Sequence, residues 1–127
     1  MIDMPDVVRD DASAPFYDGA ARGELMIKQC TACGHFVRPA ALVCTVCHAP
    51  DLAWYAASGA ATLVSWVVVH GTDDEVVAGL VELDEGPWFD ARVLDAESAS
   101  LVVGQLLRVS FVDAGEEKIP VFVPRAS

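Results

Sequence analysis

All four cysteines of this 127-residue chain lie in one short segment, as two Cys-x-x-Cys pairs separated by ten residues. The first pair is Cys30 and Cys33, and the second is Cys44 and Cys47. Two residues between cysteines allow a tight turn to present both sulfurs to one ion, and four thiolates satisfy the tetrahedral coordination of Zn²⁺. We therefore predict a structural zinc site with these four ligands. Such a site is closed, so it offers no open coordination position for catalysis.

The residues that follow each pair fit this interpretation. Gly34 directly follows the first pair and suits the left-handed backbone conformation that such turns require. His48 occupies the equivalent place after the second pair, and histidine tolerates a positive φ better than most residues. We expect His35, His48 and His70 to be turn or strand-edge residues, not ligands. An iron centre in the same cage, acting as an electron carrier, stays open as an alternative.

The N-terminal segment favours a reducing compartment. Residues 1–14 are acidic and contain no apolar stretch typical of a secretory signal, so we expect a flexible acidic arm and a cytoplasmic protein. In the cytoplasm, paired cysteines are metal ligands more often than disulfides. The longest apolar run, residues 63–69, is the length of a strand, so we expect no membrane span.

The next segment predicts one helix and one strand before the cysteines. Ser13 is placed to cap the helix, Pro15 fits its first turn, and Gly23 fits its end. Phe16 and Ala20 lie four residues apart, which gives the helix an apolar face. That face either packs on its own domain or docks on a partner. The residues LMIKQ then form a short strand that leads into Cys30.

After residue 52 the pattern changes to period two and to β-branched residues, which indicates strands. An extended arm and a turn at Ser58–Gly59 come first, and five strands joined by turns follow. Without a helix long enough for a parallel crossover, five short strands favour a small antiparallel barrel of the OB type. Pro120 and Pro124 suit an edge or a bulge of that barrel. We predict an arm at 1–14, a helix and zinc ribbon at 15–52, and an OB-fold domain at 53–127.

The charge distribution argues against nucleic acid as a partner. Residues 51–127 contain 13 acidic and 4 basic side chains, a net charge of −9 out of −11 for the chain. Nucleic-acid affinity depends on Lys and Arg displacing counterions, so a phosphate backbone would be repelled. A nucleic-acid-binding module of OB fold and zinc ribbon is nevertheless the main alternative from another functional class.

The sequence shows no recognisable arrangement of catalytic residues. Its apolar content is high enough to leave apolar surface for a partner. Its serines have no local His or Asp arrangement typical of a nucleophile, and its acid pairs fall in predicted turns. Hydrophobic residues make up 54% of the chain, and the mean hydropathy is +0.38. The turn LDEGPWF brings charge, glycine and two aromatic residues together. Trp88 and Phe89 are interface anchors if exposed and core residues if buried.

The order of these parts resembles a known family, an acyl-CoA-associated family that combines a zinc ribbon with an OB fold and was long catalogued as a domain of unknown function. The stretches that carry the resemblance are FYDGAARGELMIKQCTACG, CTVC, SGAATLVSWVVVH, VAGLVELDEGPWF, GQLLRVSFVD and IPVFVP. The resemblance implies a mainly β protein with an N-terminal helix, a rubredoxin-like zinc ribbon and a C-terminal five-stranded OB-fold barrel. This chain has Thr31, Thr45 and a single Pro39 where many members carry further prolines, a departure that leaves the four ligands unchanged.

The resemblance also implies a function as a companion protein. Members of the family form complexes with thiolase-superfamily enzymes, including lipid-transfer-like aldolases that cleave steroid side-chain CoA thioesters. The partner holds the catalytic residues, while the OB-fold protein stabilises it and helps to form the acyl-CoA site. We therefore expect a hetero-oligomer whose substrate is a CoA thioester, cleaved by a retro-aldol lyase reaction. A ketothiolase or acyltransferase complex is the nearest alternative.

Two sets of residues are candidates for these contacts. The local basic residues are candidates for the CoA phosphates: Arg22, Lys28 and Arg38. Four aromatic residues are candidates for the partner interface: Phe16, Tyr17, Trp88 and Phe89.

Overall fold

The computed structural model of the chain describes residues 9–70 and 75–125. Most of the predicted acidic arm, residues 1–8, lies outside this range. The same is true of the predicted turn that contains Asp73 and Asp74.

One α-helix, α1 (Ala14–Ala21), opens the described part of the chain. Ser13 is its N-cap residue and Pro15 lies in its first turn, while Gly23 follows the helix with φ +82°, as the sequence predicts. The capping bond itself was predicted wrongly. The Ser13 hydroxyl accepts a hydrogen bond from the backbone N–H of Asp10 (2.9 Å) instead of one from the helix. The Asp10 carboxylate accepts from the Ser13 N–H in return (2.8 Å), and this reciprocal pair fixes the turn before the helix.

Three strands form the sheet of the cysteine-rich unit, hereafter the ribbon. They are β1 (Met26–Cys30), β2 (Phe36–Val37) and β3 (Leu52–Ala56), antiparallel in the order β2-β1-β3. The sequence predicted β3 only as an extended arm at the start of the OB-fold domain. It pairs with β1 along its whole length, from Met26–Ala56 to Cys30–Leu52. The ribbon sheet therefore continues past the predicted boundary between residues 52 and 53.

Five strands form the closed barrel, in the order β4-β5-β6-β8-β7. Their bounds are β4 Ala60–His70, β5 Glu75–Leu83, β6 Trp88–Val93, β7 Leu106–Ala114 and β8 Glu117–Pro124, with a 3₁₀ turn at Ser98–Ser100 between β6 and β7. All neighbouring strands are antiparallel except β6 and β8, which pair in parallel at the single position Val93–Phe122. The predicted fold class, a mainly β chain with a five-stranded OB-type barrel, is confirmed.

The two prolines lie on β8, one of the five strands of the closed barrel. Pro120 pairs with Phe111 and Pro124 pairs with Leu107 on the neighbouring strand β7. Strand β8 is paired along its length only with β7, so the prolines lie on a strand with one largely unpaired side, in keeping with the predicted edge position. Because β8 meets β6 at only one position, most of its other side makes no ladder hydrogen bonds, so a missing proline N–H is tolerated there.

The ribbon and the barrel share one hydrophobic core. Leu25 and Ile27, from the ribbon, belong to the same buried cluster as Leu63, Leu107 and Phe122 of the barrel. Burial of a Leu or Ile side chain contributes roughly 1.5–3 kcal/mol, so these two residues attach the ribbon to the barrel strongly. No helix in the described ranges is both long enough and apolar enough to cross a bilayer.

Candidate metal centre and the adjoining cavity

The fold brings the four predicted ligands together at one end of the ribbon. The sulfur atoms of Cys30 and Cys47 are 3.6 Å apart, as are those of Cys33 and Cys44, and all four lie within 4.8 Å of one another. A tetrahedral ion with Zn–S bonds of about 2.3 Å requires sulfur atoms roughly 3.8 Å apart. The four side chains therefore fit a structural Zn²⁺, with Cys30 and Cys44 buried and the other two exposed.

The two Cys-x-x-Cys turns have equivalent backbone conformations. Gly34 has φ +84° and donates its N–H to the carbonyl of Cys30 at 2.8 Å. His48 has φ +64° and donates its N–H to the carbonyl of Cys44 at 3.0 Å. The predicted positive φ is confirmed at both positions. A histidine at the second position tolerates this conformation at modest strain, because the left-handed region is accessible to it.

Backbone donors stabilise a thiolate in the second turn. The N–H groups of Cys47 and Val46 lower the pKa of Cys44 to about 6, against the opposing effect of burial. At Cys33 the N–H of His35 also lowers the pKa, but hydrogen bonds from the other thiols and burial outweigh it and raise the pKa to about 12. Zn²⁺ would replace the thiol protons and hold all four sulfurs as thiolates.

The loop between the two pairs exposes apolar side chains that the sequence did not single out. Leu42 is 81% exposed and Val43 beside it is also exposed, and Val46, inside the second cysteine pair, is 61% exposed. The Lys28 ammonium fixes this loop by donating to the carbonyl of Ala41 at 2.9 Å. The exposed apolar side chains of this loop lie on a segment that is flanked at both ends by the candidate metal ligands Cys33 and Cys44.

A cavity of about 390 Å³ lies where α1, the ribbon and the barrel meet. Aromatic rings line it, with two cations and the segment before α1 completing the wall: Asp10, Ala12, Ser13, Phe16, Tyr17, Lys28, Arg38, Pro39, Ala40, Leu42, Trp54 and Phe89. Phe16 and Phe89 stack with their centroids 6.4 Å apart, although 73 positions separate them in the sequence. The lining thus combines aromatic rings with two cations, Lys28 and Arg38, and one carboxylate, Asp10.

Of the three basic residues predicted as phosphate contacts, two line the cavity and one does not. Lys28 lies 4.9 Å from the centre of the Trp54 ring, and Arg38 forms an exposed ion pair with Asp90 at 3.2 Å. Both line the cavity. Arg22 does not line it, and its guanidinium pairs with Glu24, two residues along the chain, at 2.9 Å.

The predicted interface residues also divide. Phe16, Tyr17 and Phe89 line the cavity, whereas Trp88 is 48% exposed and donates its indole N–H to Glu82 at 3.3 Å. Phe89 in addition packs against the barrel core. The sequence left open whether Trp88 and Phe89 are exposed or buried. In the structure Trp88 faces outward and Phe89 faces inward.

Arg9 holds the segment before α1 against the barrel. Its guanidinium donates two hydrogen bonds to Glu117, at 2.6 and 2.8 Å, and a third to Asp18 of α1 at 2.5 Å. These bonds lower the pKa of Glu117 and raise the pKa of Arg9. A contact across 108 positions leaves no local signal in the sequence, so this clamp could not be predicted.

Two family models match this chain, in the order in which the two units occur. The model described as ChsH2, rubredoxin-like zinc ribbon domain, matches residues 18–53. The model described as ChsH2, C-terminal OB-fold domain, matches residues 54–112. Among curated proteins, none matches the chain.

Two solved structures share the fold. One is described as an Ltp2-ChsH2(DUF35) aldolase; it is 25% identical with a TM-score of 0.79, over 94% of this chain and 98% of that chain. The other is a protein of unknown function from the DUF35 family of Sulfolobus solfataricus. It is 14% identical with a TM-score of 0.64, over 91% of this chain and 86% of that chain, so it supports the fold alone.

Proposed function

Because the chain belongs to the ChsH2 family, we propose that it is the accessory subunit of an aldolase complex whose catalytic subunit has a thiolase-like fold. The observation that carries this proposal is the likeness to the Ltp2-ChsH2 aldolase structure over nearly the whole of both chains. The two family models support it independently, since together they run from residue 18 to residue 112 without a gap. We further propose that the complex is cytoplasmic.

The reaction we propose is a retro-aldol cleavage of a β-hydroxyacyl-CoA, of the steroid side-chain type. A base removes the proton of the β-hydroxyl group, and the bond between Cα and Cβ breaks. The carbonyl forms at Cβ and leaves as a ketone or aldehyde. The electron pair stays on Cα as the thioester enolate, which takes up a proton to give a shorter acyl-CoA. We place the base and the proton donor on the catalytic partner.

The contribution of this chain is part of the acyl-CoA site. The cavity beside the ribbon supports this, because its aromatic wall suits an apolar or pantetheine-like chain and its two cations suit phosphates. The Arg38 side chain is 55% exposed and its ion pair with Asp90 is exposed as well, so a phosphate can replace the carboxylate at little cost. Lys28 is held more firmly, by Ala41 and Trp54.

Co-expression with a thiolase-like catalytic subunit tests the proposal. We expect the two chains to co-purify, and the complex to convert a β-hydroxyacyl-CoA into a carbonyl compound and a shorter acyl-CoA in equal amounts. Thiolysis or acyl transfer without that product pair would identify the ketothiolase or acyltransferase alternative. Failure to co-purify, together with a gel shift of DNA or RNA at low salt, would favour the nucleic-acid alternative.

Variants of the cavity test the role of the chain within the complex. We expect Lys28→Met and Arg38→Gln together to raise the KM for the acyl-CoA about tenfold or more, because each removes a charge-assisted contact with phosphate. Arg22→Gln is the matched control, since Arg22 is a nearby base outside the cavity lining. Equal effects of the double variant and the control would contradict this assignment.

A further inference from the structure

The long strand β4 is hydrogen-bonded on both sides only near its start. It pairs with β7 from Ala60 to Thr62. One residue later, Leu63 accepts from the N–H of Gly104 at 2.8 Å and donates to the carbonyl of Gln105 at 3.0 Å. From Ser65 to His70, within the described ranges, β4 pairs with β5 alone. One edge of this segment, hereafter the free edge, therefore has no strand beside it in the described part of the chain.

A β-bulge and the alternation of side chains identify the groups on the free edge. Residues with side chains on the same face of a strand direct their N–H and C=O to the same edge. Leu63 faces the core and directs its backbone groups toward the β7 side. The bulge between Leu63 and Ser65 inserts one residue, after which Trp66 and Val68 again pack against the core. The backbone N–H and C=O groups of Trp66 and Val68 therefore point toward the free edge, the side on which β7 pairs with the start of β4.

The surroundings of the free edge indicate the side chains that its occupant carries. Val67 is 63% exposed and Val69 is 55% exposed, so apolar surface lies alongside the edge. Glu75 pairs in register with His70 at the end of the segment, and it accepts a hydrogen bond from Ser98 at 2.7 Å. The barrel as a whole is acidic, with the net charge of −9 on residues 51–127. Apolar contacts combined with Lys or Arg side chains would complement this edge.

We infer that an extended segment of the catalytic partner, with alternating apolar and basic side chains, adds to the free edge of β4 as a further strand. The inference rests on the proposed function and specifies how the two subunits recognise each other. Backbone pairing gives the affinity, and the charges select the partner. A second copy of this chain is a poorer occupant, because two chains of net charge −11 repel each other.

Replacement of Val68 by proline tests the pairing directly. Val68→Pro removes an N–H that β5 does not use, whereas Val68→Ala keeps the N–H and removes more of the side chain, so a loss of binding specific to Val68→Pro cannot come from lost side-chain volume. We expect Val68→Pro to raise the Kd for the catalytic subunit roughly tenfold over Val68→Ala, since outward hydrogen bonds are lost. In the wild-type complex we expect the Trp66 and Val68 amides to exchange with deuterium more slowly than in the free chain. Equal affinity of the two variants, or unchanged exchange at these amides, would overturn the inference.

Two variants of opposite charge at one exposed position test the inference even if the proline variant fails to fold. Val67 is exposed, so Val67→Lys and Val67→Glu should both fold, and a basic occupant should bind the Glu variant about tenfold more tightly than the Lys variant. Equal binding would contradict a basic segment. A dimer of the free chain that Val68→Pro converts to a monomer would show self-pairing instead. If the wild-type chain does not bind the catalytic subunit at all, the proposed function fails; if it binds with the edge unaffected, only this inference fails.

Discussion

Truncation of Ile27 measures how strongly the ribbon is coupled to the barrel. Ile27 lies on β1 of the ribbon, is 0% exposed and belongs to the core cluster of the barrel. Ile27→Ala removes three carbon atoms, worth about 0.8 kcal/mol each by transfer. The cavity that remains adds to this, so we expect a loss of about 3–4 kcal/mol in the free energy of unfolding.

Thermal denaturation and hydrogen exchange together measure this loss. For a domain of this size, each kcal/mol lowers Tm by roughly 4 °C, so we expect Tm to fall by about 10–15 °C. Because the core is shared, amides of β7 and β8 should exchange faster, although both strands lie far from residue 27 in the sequence. The matched control is Val37→Ala. Val37 is also buried in the ribbon sheet but lies outside the shared cluster, so this change should loosen the ribbon and leave the barrel protected.

The opposite pattern would refute the shared core. If Ile27→Ala accelerated exchange only in the ribbon, and the barrel melted at its original temperature, the two units would be independent domains. The ribbon would then be attached to the barrel by the chain alone, and the cavity between them would not have a fixed shape.

Three further predictions concern the metal, the N-terminal clamp and the barrel interior. Cys47→Ser removes one of four ligands. An equal share of the roughly 10–16 kcal/mol typical of structural zinc predicts Zn²⁺ binding weaker by about two to three orders of magnitude in a competition titration. Arg9→Gln should lower the free energy of unfolding at pH 7, and its difference from wild type should shrink below about pH 4 in acid titrations. The reason is that Arg9 lowers the pKa of Glu117 in the folded protein. The stability that the Arg9–Glu117 ion pair contributes is therefore fully present above the pKa of Glu in the unfolded chain, about 4.3, and it is lost as the pH falls through the lower pKa of the folded state. Gly79→Ala places a Cβ 2.8 Å from a methyl group of Val93 and should cost about 1–3 kcal/mol by chemical denaturation, with partial recovery in the double variant with Val93→Ala.

Local patterns in the sequence were sufficient for the metal site and for the type of fold. The spacing of the four cysteines limits them to one ion, and the Gly34 and His48 positions follow from the turns that this spacing imposes. Period-two alternation likewise predicts strands wherever one face is buried. These features depend on residues close together in the chain, which is why they could be predicted without the structure.

Contacts between distant residues could not be predicted in the same way. Alternation shows that residues 52–56 are extended but not which strand they pair with, so the pairing of β3 with β1 could not be predicted. The cavity depends on Phe16 meeting Phe89, and the clamp depends on Arg9 meeting Glu117. The free edge of β4 also depends on contacts between distant residues, because it begins where the pairing between β4 and β7 ends.

A single five-residue strand links the metal, the core and the cavity. On β1, Ile27 enters the shared core, Lys28 reaches the cavity, and Cys30 at the end of the strand joins the metal cluster. Arg38 lies on the loop between the two cysteine pairs, and Lys28 fixes the same loop through Ala41. The ion would therefore set the positions of both cavity cations without touching a ligand in the cavity. Its contribution to the proposed acyl-CoA site would be geometric: it would fix the loop and strand that carry two positive charges in the lining of an aromatic cavity, in a protein that is otherwise strongly acidic.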